Sequence, residues 1–156
     1  MTKKGPARPL PTRFAGPMTS PGFLLWRISN AWQRRQRAAL QPLGLTHSQF
    51  VLLATATWFG ATEVLTQARL SELSGVDAMT TSQILRALEA AKLVQRRAHP
   101  DDPRARAVHV TANGREKVGK AIVLVERVDA AFFMPVASSA RRMVALFRAL
   151  VDASAD

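Results

Sequence analysis

The chain has 156 residues, 47% of them hydrophobic, which is enough apolar material for one folded domain with a core. Its 22 lysines and arginines against 11 acids give a formal charge of +11, so a polyanionic partner is expected, nucleic acid before an anionic membrane surface. The absence of cysteine excludes disulfide scaffolds, cysteine-ligated zinc, iron–sulfur clusters and thiol-based redox switches.

Residues 1–19 carry four prolines, scattered basic side chains and little apolar content, which predicts a flexible basic arm. This segment lacks the apolar run of a secretory signal. The longest charge-free stretch, residues 38–62, is interrupted by proline, glycine and polar side chains and would make a poor membrane span. A soluble protein of the cytoplasm is therefore expected.

Two helices are predicted next. Ser20 and Pro21 form a helix start, and that helix runs to about residue 41, where Pro42 and Gly44 stop it. The second helix begins after a capping box of Thr46 and Gln49 and continues to about residue 59, ahead of Gly60.

A third helix is predicted from Thr66 to Gly75, and Asp77 caps a fourth from residue 79 to about residue 92. Three residues separate these two helices, which is the short turn of a helix-turn-helix. The apolar side chains of the fourth helix, Ile84, Leu85 and Leu88, fall within one arc and predict its buried side.

After Leu93 the pattern changes to period two, which predicts two short strands, 94–98 and 106–110, around a loop with two prolines. Thr111 then caps a long helix that reaches about residue 133. Pro135 and two serines mark a break before a last helix, about 139–152.

The element order α-α-α-α-β-β-α-α predicts a mainly α fold with a small β-hairpin wing, a winged helix-turn-helix. We expect a single domain over residues 20–156. Within it the winged helix-turn-helix covers about 46–111, and terminal helices at about 20–42 and 112–152 join two copies into a dimer. Those helices carry more apolar side chains than one small winged domain can cover.

In this fold the second helix of the turn motif enters the major groove of DNA. Its predicted exposed face offers an amide, a guanidinium and small polar groups, while Glu89 sits at the edge. Arginine suits guanine, glutamine suits adenine, and serine suits a base or a phosphate. The candidate base-reading residues are Thr80, Ser82, Gln83 and Arg86. The alternative is that they form an ordinary solvated helix face.

Four segments resemble the multiple-antibiotic-resistance regulator (MarR) family of bacterial transcription factors. They are LGLTHSQF at 43–50, LTQARLSELSGV at 65–76, MTTSQILRALE at 79–89 and DPRARAVHVT at 102–111. The resemblance covers residues 21 to about 150. It implies an obligate dimer on a pseudo-palindromic operator and, less uniformly, a small aromatic or phenolic ligand between the dimer helices and the DNA-binding lobe.

The resemblance matches Arg104 to a wing-tip arginine that enters the minor groove and Asp102 to the acid that orients it. A narrow minor groove concentrates negative potential and attracts arginine, which agrees with this assignment. The alternative is a solvated salt bridge in a turn. Arg96, Arg97 and Arg106 are assigned to phosphate contact or to wing stability, with no split between the two.

Other chemistry finds little support in the sequence. The three histidines have no metal-ligand spacing, and no catalytic constellation is visible, so no metal, no cofactor and no enzyme activity is expected. Several aromatic side chains could line a ligand crevice, although core and dimer interface is the favoured alternative, as is the core for His47. The candidate ligand residues are Trp26, Trp32, His47, Phe50 and Trp58.

The sequence therefore predicts a dimeric, ligand-responsive DNA-binding transcriptional regulator, most simply a repressor. The rival interpretation is a ligand-binding or scaffold protein of the same fold without operator specificity. A specificity ratio near one between operator and random DNA would favour that rival.

Overall fold

The computed structural model describes residues 10–154. Six helices and one hairpin follow in the predicted order: α1 Pro21–Leu40, α2 His47–Phe59, α3 Gln67–Ser74, α4 Ala78–Ala90, β1 Val94–Ala98, β2 Arg106–Val110, α5 Ala112–Phe133 and α6 Ala140–Asp152. Short 3₁₀ segments lie at Pro17–Thr19, Gln41–Leu43 and Met134–Ser139. The mainly helical fold with a two-stranded wing is confirmed. Of the predicted arm, residues 1–9 lie outside the described residues.

The chain divides into two compact units, and the division falls within α1, after Arg34. In the first unit, Ser20 begins α1 by accepting a hydrogen bond from the Phe23 amide at 3.5 Å, as its place before Pro21 predicted. The side chains of Leu25 and Trp26 on this part of α1 are exposed.

The second unit holds the end of α1 and every later element. Its helices begin where the predicted caps stand. The Gln49 amide donates to Thr46 Oγ1 at 3.1 Å, and the Thr46 amide donates back to Gln49 Oε1 at 2.9 Å. Thr66, Asp77 and Thr111 each accept a backbone amide three residues on. These capping bonds satisfy amides that have no partner within the helix, which fixes where each helix starts.

One core lies between α2, α3, α4, the hairpin and the first half of α5. As predicted, α4 buries its side with Thr81, Ile84, Leu85 and Leu88. Among the described residues, the least exposed apolar side chains are leucines and small aliphatic residues: Leu40, Leu52, Leu53, Leu65, Leu70, Leu85, Leu88, Val94, Ala107 and Ala121. This core fixes the orientation of α4 relative to the hairpin.

The hairpin is antiparallel and pairs Val94 with Val110 and Ala98 with Arg106. A feature that the sequence did not predict joins it to the helices: Thr66 forms a bridge with Ala107, and the Val108 amide donates to the Leu65 carbonyl at 2.7 Å. The residues before α3 therefore act as a third, very short strand beside β2.

Helix α6 buries none of its own residues, and five of its large apolar side chains are 45–68% exposed. They lie at Val144, Leu146, Phe147, Leu150 and Val151. Within residues 10–154, no helix has both the length and the apolar character that a membrane span needs.

Candidate nucleic-acid interface

The turn between α3 and α4 is held by hydroxyl groups. Gly75 ends α3 with φ of 69°, a left-handed conformation that glycine adopts without a steric penalty. Ser71 and Thr81 both donate hydrogen bonds to the Val76 carbonyl, at 2.6 and 3.2 Å. Asp77 then caps α4, and the hydrogen bonds that it accepts from Thr80 lower the pKa of its carboxyl group.

The outer face of α4 presents the predicted side chains to solvent. Gln83 and Arg86 are exposed, as is Met79 with 74% of its surface, while Thr80 and Ser82 are half-buried. The Arg86 Nη2 atom donates to Ser82 Oγ at 3.2 Å, so these two side chains form one polar unit. An amide, a guanidinium and a hydroxyl therefore project from one face of the helix.

Asp102 shapes the tip of the wing through the backbone. The Arg104 amide donates to Asp102 Oδ1 at 2.9 Å, and the Ala105 amide donates to the Asp102 carbonyl at 3.1 Å. His99 accepts the Asp101 amide at its Nδ1 atom and donates its own amide to Ala105. Asp102 thus orders the turn from which Arg104 projects. The carboxylate of Asp102 does so by binding the backbone amide of Arg104.

The arginines of this surface differ in their partners. Among residues 10–154, ion pairs involve Arg69, Arg96 and Lys120, whereas Arg104 and Arg106 take part in none and are exposed. Arg96 differs because its Nη1 atom lies 3.8 Å from Glu89 Oε2 and its side chain is 27% exposed. The structure therefore favours wing stability over phosphate contact for Arg96, an alternative that the sequence left open.

Comparison with known proteins agrees with this geometry. Residues 45–105, from just before α2 to the tip of the wing, match the MarR family model. Over 123 residues the chain is 42% identical to YdcH of Bacillus subtilis, an uncharacterized HTH-type transcriptional regulator; the match covers 78% of this chain and 84% of YdcH. Over 109 residues it is 33% identical to the HTH-type transcriptional repressor Rv2887 of Mycobacterium tuberculosis, covering 70% and 76% of the two chains.

This chain belongs to the MarR family. It is a winged-helix transcriptional regulator that binds DNA. The solved structure of Rv2887 in complex with salicylic acid is 30% identical, with a TM-score of 0.64 over 84% of this chain and 96% of that one. The MepR–DNA complex of S. aureus, 18% identical, has the same fold, with a TM-score of 0.76 over 86% and 96% of the two chains.

This MarR-family chain has a two-part cleft beside the C-terminal half of α2. A part of about 630 Å³ is mostly apolar and lies between α2 and α5. A smaller part of about 290 Å³ extends under β2 and includes Glu63 and His109. Thr57, Ala61 and Arg115 line both parts. The Arg115 guanidinium donates to the Val110 carbonyl at 2.8 Å, which places a cation where the two parts meet.

Within the second unit, the predicted ligand residues do not gather at this cleft. Trp58 lines it and is 78% exposed. Phe50 lies in the core, 5% exposed, because the start of α2 packs inward; His47 is half-buried and stacks on its ring at 6.5 Å between centroids. Trp26 and Trp32 lie on the part of α1 in the first unit. A ligand role for all five residues stays a prediction.

Sequence reasoning missed Arg115 and Ile122, which face Trp58 across the cleft from α5. The available signal was their spacing on one helix, with Arg115 three residues before Val118 and Ile122 four residues after it, which places all three side chains on one face. Within the described part of the chain, no group of three histidine or acidic side chains is placed to hold a metal ion.

Proposed function

We propose that this chain is a homodimeric repressor that reads a pseudo-palindromic operator with α4 in the major groove and Arg104 in the adjacent minor groove. The observation that carries the proposal is an acid-free outer face on α4 together with Arg104, which has no ion pair within residues 10–154 and projects from the turn that Asp102 orders. Hydrogen-bond donors and acceptors at base edges specify sequence, and arginine favours a narrow minor groove. Repression follows the function of the relative Rv2887.

The proposed dimer forms through the terminal helices, since residues 10–154 leave the apolar face of α6 uncovered. A twofold axis would set two copies of α4 about one turn of DNA apart, which is the spacing a palindromic site requires. Light scattering at micromolar concentration is expected to give twice the 17.1 kDa chain mass. A particle of single-chain mass would contradict the dimer.

Operator reading is tested by selecting bound duplexes from a random library and measuring competition against random DNA. We expect an inverted repeat and a preference of at least about a thousandfold. A ratio near one between the affinities for operator and for random DNA would instead support a ligand-binding or scaffold protein of the same fold. Such a regulator acts where the genome is, so we propose a cytoplasmic location.

We propose further that the two-part cleft takes a small aromatic acid that releases the operator. The salicylic acid complex of Rv2887 supports this chemical class, and the cleft offers apolar walls beside the Arg115 cation. A carboxylate paired with a guanidinium makes a charge-assisted hydrogen bond, and an aromatic ring suits the surface of Trp58 and Ile122. The cleft therefore offers a partner for the carboxylate and an apolar surface for the aromatic ring of such a ligand.

Calorimetric titration with salicylate and with the uncharged salicylamide tests the ligand. We expect salicylate to bind more tightly, and Arg115→Ala to remove that preference while Arg127→Ala, an exposed arginine elsewhere on α5, keeps it. Salicylate is expected to weaken operator binding by the parent protein. Equal binding of the two compounds, or no effect on DNA, would contradict a carboxylate-reading effector site.

A further inference from the structure

Glu89 connects the last turn of α4 to the first strand of the wing. Its Oε1 atom accepts the backbone amide of Arg96 at 3.2 Å, and its Oε2 atom lies 3.8 Å from the Arg96 Nη1 atom. The Glu89 and Arg96 side chains are 40% and 27% exposed, so this contact is partly shielded from solvent. One carboxylate therefore binds both the main chain and the side chain of a wing residue.

The amide that Glu89 binds lies on the outer edge of the hairpin. Arg96 pairs with Val108, and the Val108 amide points away from β1 because it donates to the Leu65 carbonyl. In an antiparallel ladder, residues opposite each other direct their amides the same way, either both inward or both outward. The Arg96 amide is thus outward, and Glu89 supplies its acceptor. Leu65 holds the hairpin on one edge and Glu89 holds it on the other.

The Arg96 guanidinium is partly shielded from solvent where it makes this contact. Its Nη2 atom is buried and has no hydrogen-bond partner among the described residues. A guanidinium reaching for phosphate would be exposed, as those of Arg104 and Arg106 are. An acid on a DNA-reading helix ordinarily repels phosphate, and here the acid is engaged by a wing arginine. The contact between Glu89 and Arg96 therefore orients the wing relative to α4 and leaves Arg96 poorly placed to bind phosphate.

We propose that Glu89 is a positioning residue that fixes the angle of the wing relative to α4, so that the minor-groove preference of Arg104 depends on it. The inference rests on the proposed reading of an operator by both elements. On the proposed function, α4 reads bases through Ser82, Gln83 and Arg86, whereas Glu89 lies in the last turn of the helix and contacts the strand that leads to the wing tip. Losing Glu89 should therefore disturb what the wing reads and spare what α4 reads.

The experiment measures competition over a saturated operator library for the parent protein and for Glu89→Ala, Glu89→Gln, Arg104→Ala and the double variant Glu89→Ala/Arg104→Ala. Glu89→Ala is expected to bind the operator about tenfold more weakly and to lose preference at the base pairs under the wing, with the α4-read positions unchanged. In the Arg104→Ala background the same change is expected to have no further effect. Glu89→Gln keeps an acceptor for the Arg96 amide and should retain most of the wing preference.

Hydrogen exchange of the Arg96 amide gives a readout of the contact itself, and we expect it to quicken in Glu89→Ala and much less in Glu89→Gln. Glu126→Ala removes an exposed acid from α5 and controls for the change in net charge. If Glu89→Ala does not fold, Glu89→Gln decides the proposal: unchanged wing preference with an unchanged Arg96 amide supports it, and loss of preference with that amide still protected overturns it.

Three results would overturn the inference. Tighter binding of Glu89→Ala to every sequence would make Glu89 only a repulsive charge. Effects of Glu89→Ala and Arg104→Ala that multiply would show that Glu89 does not act through the wing. Equal weakening for all operators, with a lower Tm, would show a general stabilising role. A parent protein without sequence preference would instead refute the proposed function, so the two failures are distinguishable.

Discussion

Gly114 lies where the first turn of α5 crosses the backbone of Leu93. A Cβ atom at this position would stand 2.1 Å from the Leu93 carbonyl oxygen and 2.8 Å from Val110 Cγ1. Its amide also donates to the capping Thr111 hydroxyl. Any side chain would push α5 away from the base of the wing.

Gly114→Ala is therefore expected to lower the free energy of unfolding by about 1–3 kcal/mol, the usual cost of overpacking, as measured by urea denaturation. Gly119→Ala is the matched control, because nothing lies within 4 Å of its added Cβ on the same helix. There alanine should stabilise the protein by up to about 1 kcal/mol through helix propensity. Equal effects at both glycines would contradict the close approach.

Arg86 distinguishes base reading from phosphate anchoring. Its exposed guanidinium, hydrogen-bonded to Ser82, can reach a base edge from the outer face of α4. Arg86→Ala is expected to cost about 1–3 kcal/mol of operator binding and to relax preference at one base pair per half-site, measured by competition over an operator library. Arg127→Ala removes the same charge from α5 and should leave the preference intact. Uniform weakening for all operators would reduce Arg86 to a phosphate anchor.

At the scale of elements, α4 depends on its N-terminal cap. The Thr80 amide donates to Asp77 Oδ1 at 2.9 Å, and the same contacts lower the pKa of the Asp77 carboxyl group. Without an acceptor, the amides of the first turn lose their partner and the turn frays.

Asp77→Ala is expected to speed hydrogen exchange of the first-turn amides of α4 about fivefold and to weaken operator binding. Asp77→Asn retains an oxygen acceptor at the same place and should behave like the parent protein. Slow exchange in Asp77→Ala would mean that packing of Thr81 and Leu85 holds the first turn without the cap.

For the molecule as a whole, His47 links stability to pH. Partial burial lowers its pKa, the Asp129 carboxylate on α5 opposes this, and Arg37 on α1 adds to it. The unfolded chain takes up this proton near pH 6.5, before the folded chain does. In the window just below that value the unfolded state binds more protons, so the free energy of unfolding decreases as the pH falls.

Urea denaturation between pH 5 and pH 7.5, in His47→Gln and in the parent, measures the contribution of this histidine, and the variant is expected to show the flatter profile. His109→Gln, in which an exposed histidine of β2 is replaced and His47 is kept, serves as the control. A profile for His47→Gln that matches the parent would place the pH dependence on other groups.

The net charge of +11 gives a second prediction at this scale. A dimer with on the order of eight phosphate contacts should show log K falling against log[salt] with a slope of about −7. Fluorescence anisotropy over a salt series with a labelled operator measures it. A slope shallower than about −3 would mean that the basic excess is not a DNA footprint.

Much of this fold was predictable because its boundaries are set locally. Both strands occupy the predicted ranges, since a turn-rich loop with two prolines forces the chain to reverse between them. The caps at Thr46, Asp77 and Thr111 each accept a hydrogen bond from the amide three residues on. The start of each helix can therefore be predicted from a few consecutive residues. The family resemblance was visible for the same reason, because the wing motif and the helix-turn-helix are contiguous segments.

The roles of side chains of the same type were not predictable in this way. Arg96 and Arg104 are both wing arginines, and only the approach of α4 shows that one pairs with Glu89 while the other projects into solvent. Phe50 and Trp58 are eight residues apart on one helix, yet the first is in the core and the second borders a cleft.

The sequence by itself determined the order and ends of the helices and strands, the outer face of α4 and the family. Caps, turns and amphipathic periodicity act over a few residues, so neighbouring letters specify them. Tertiary structure decided the third short strand beside β2, the cleft around Arg115 and the hydrogen bond of 2.7 Å from buried Gln36 to Asp129, 93 residues away. Burial and pairing depend on which distant segments share a core, and that follows from packing the whole chain.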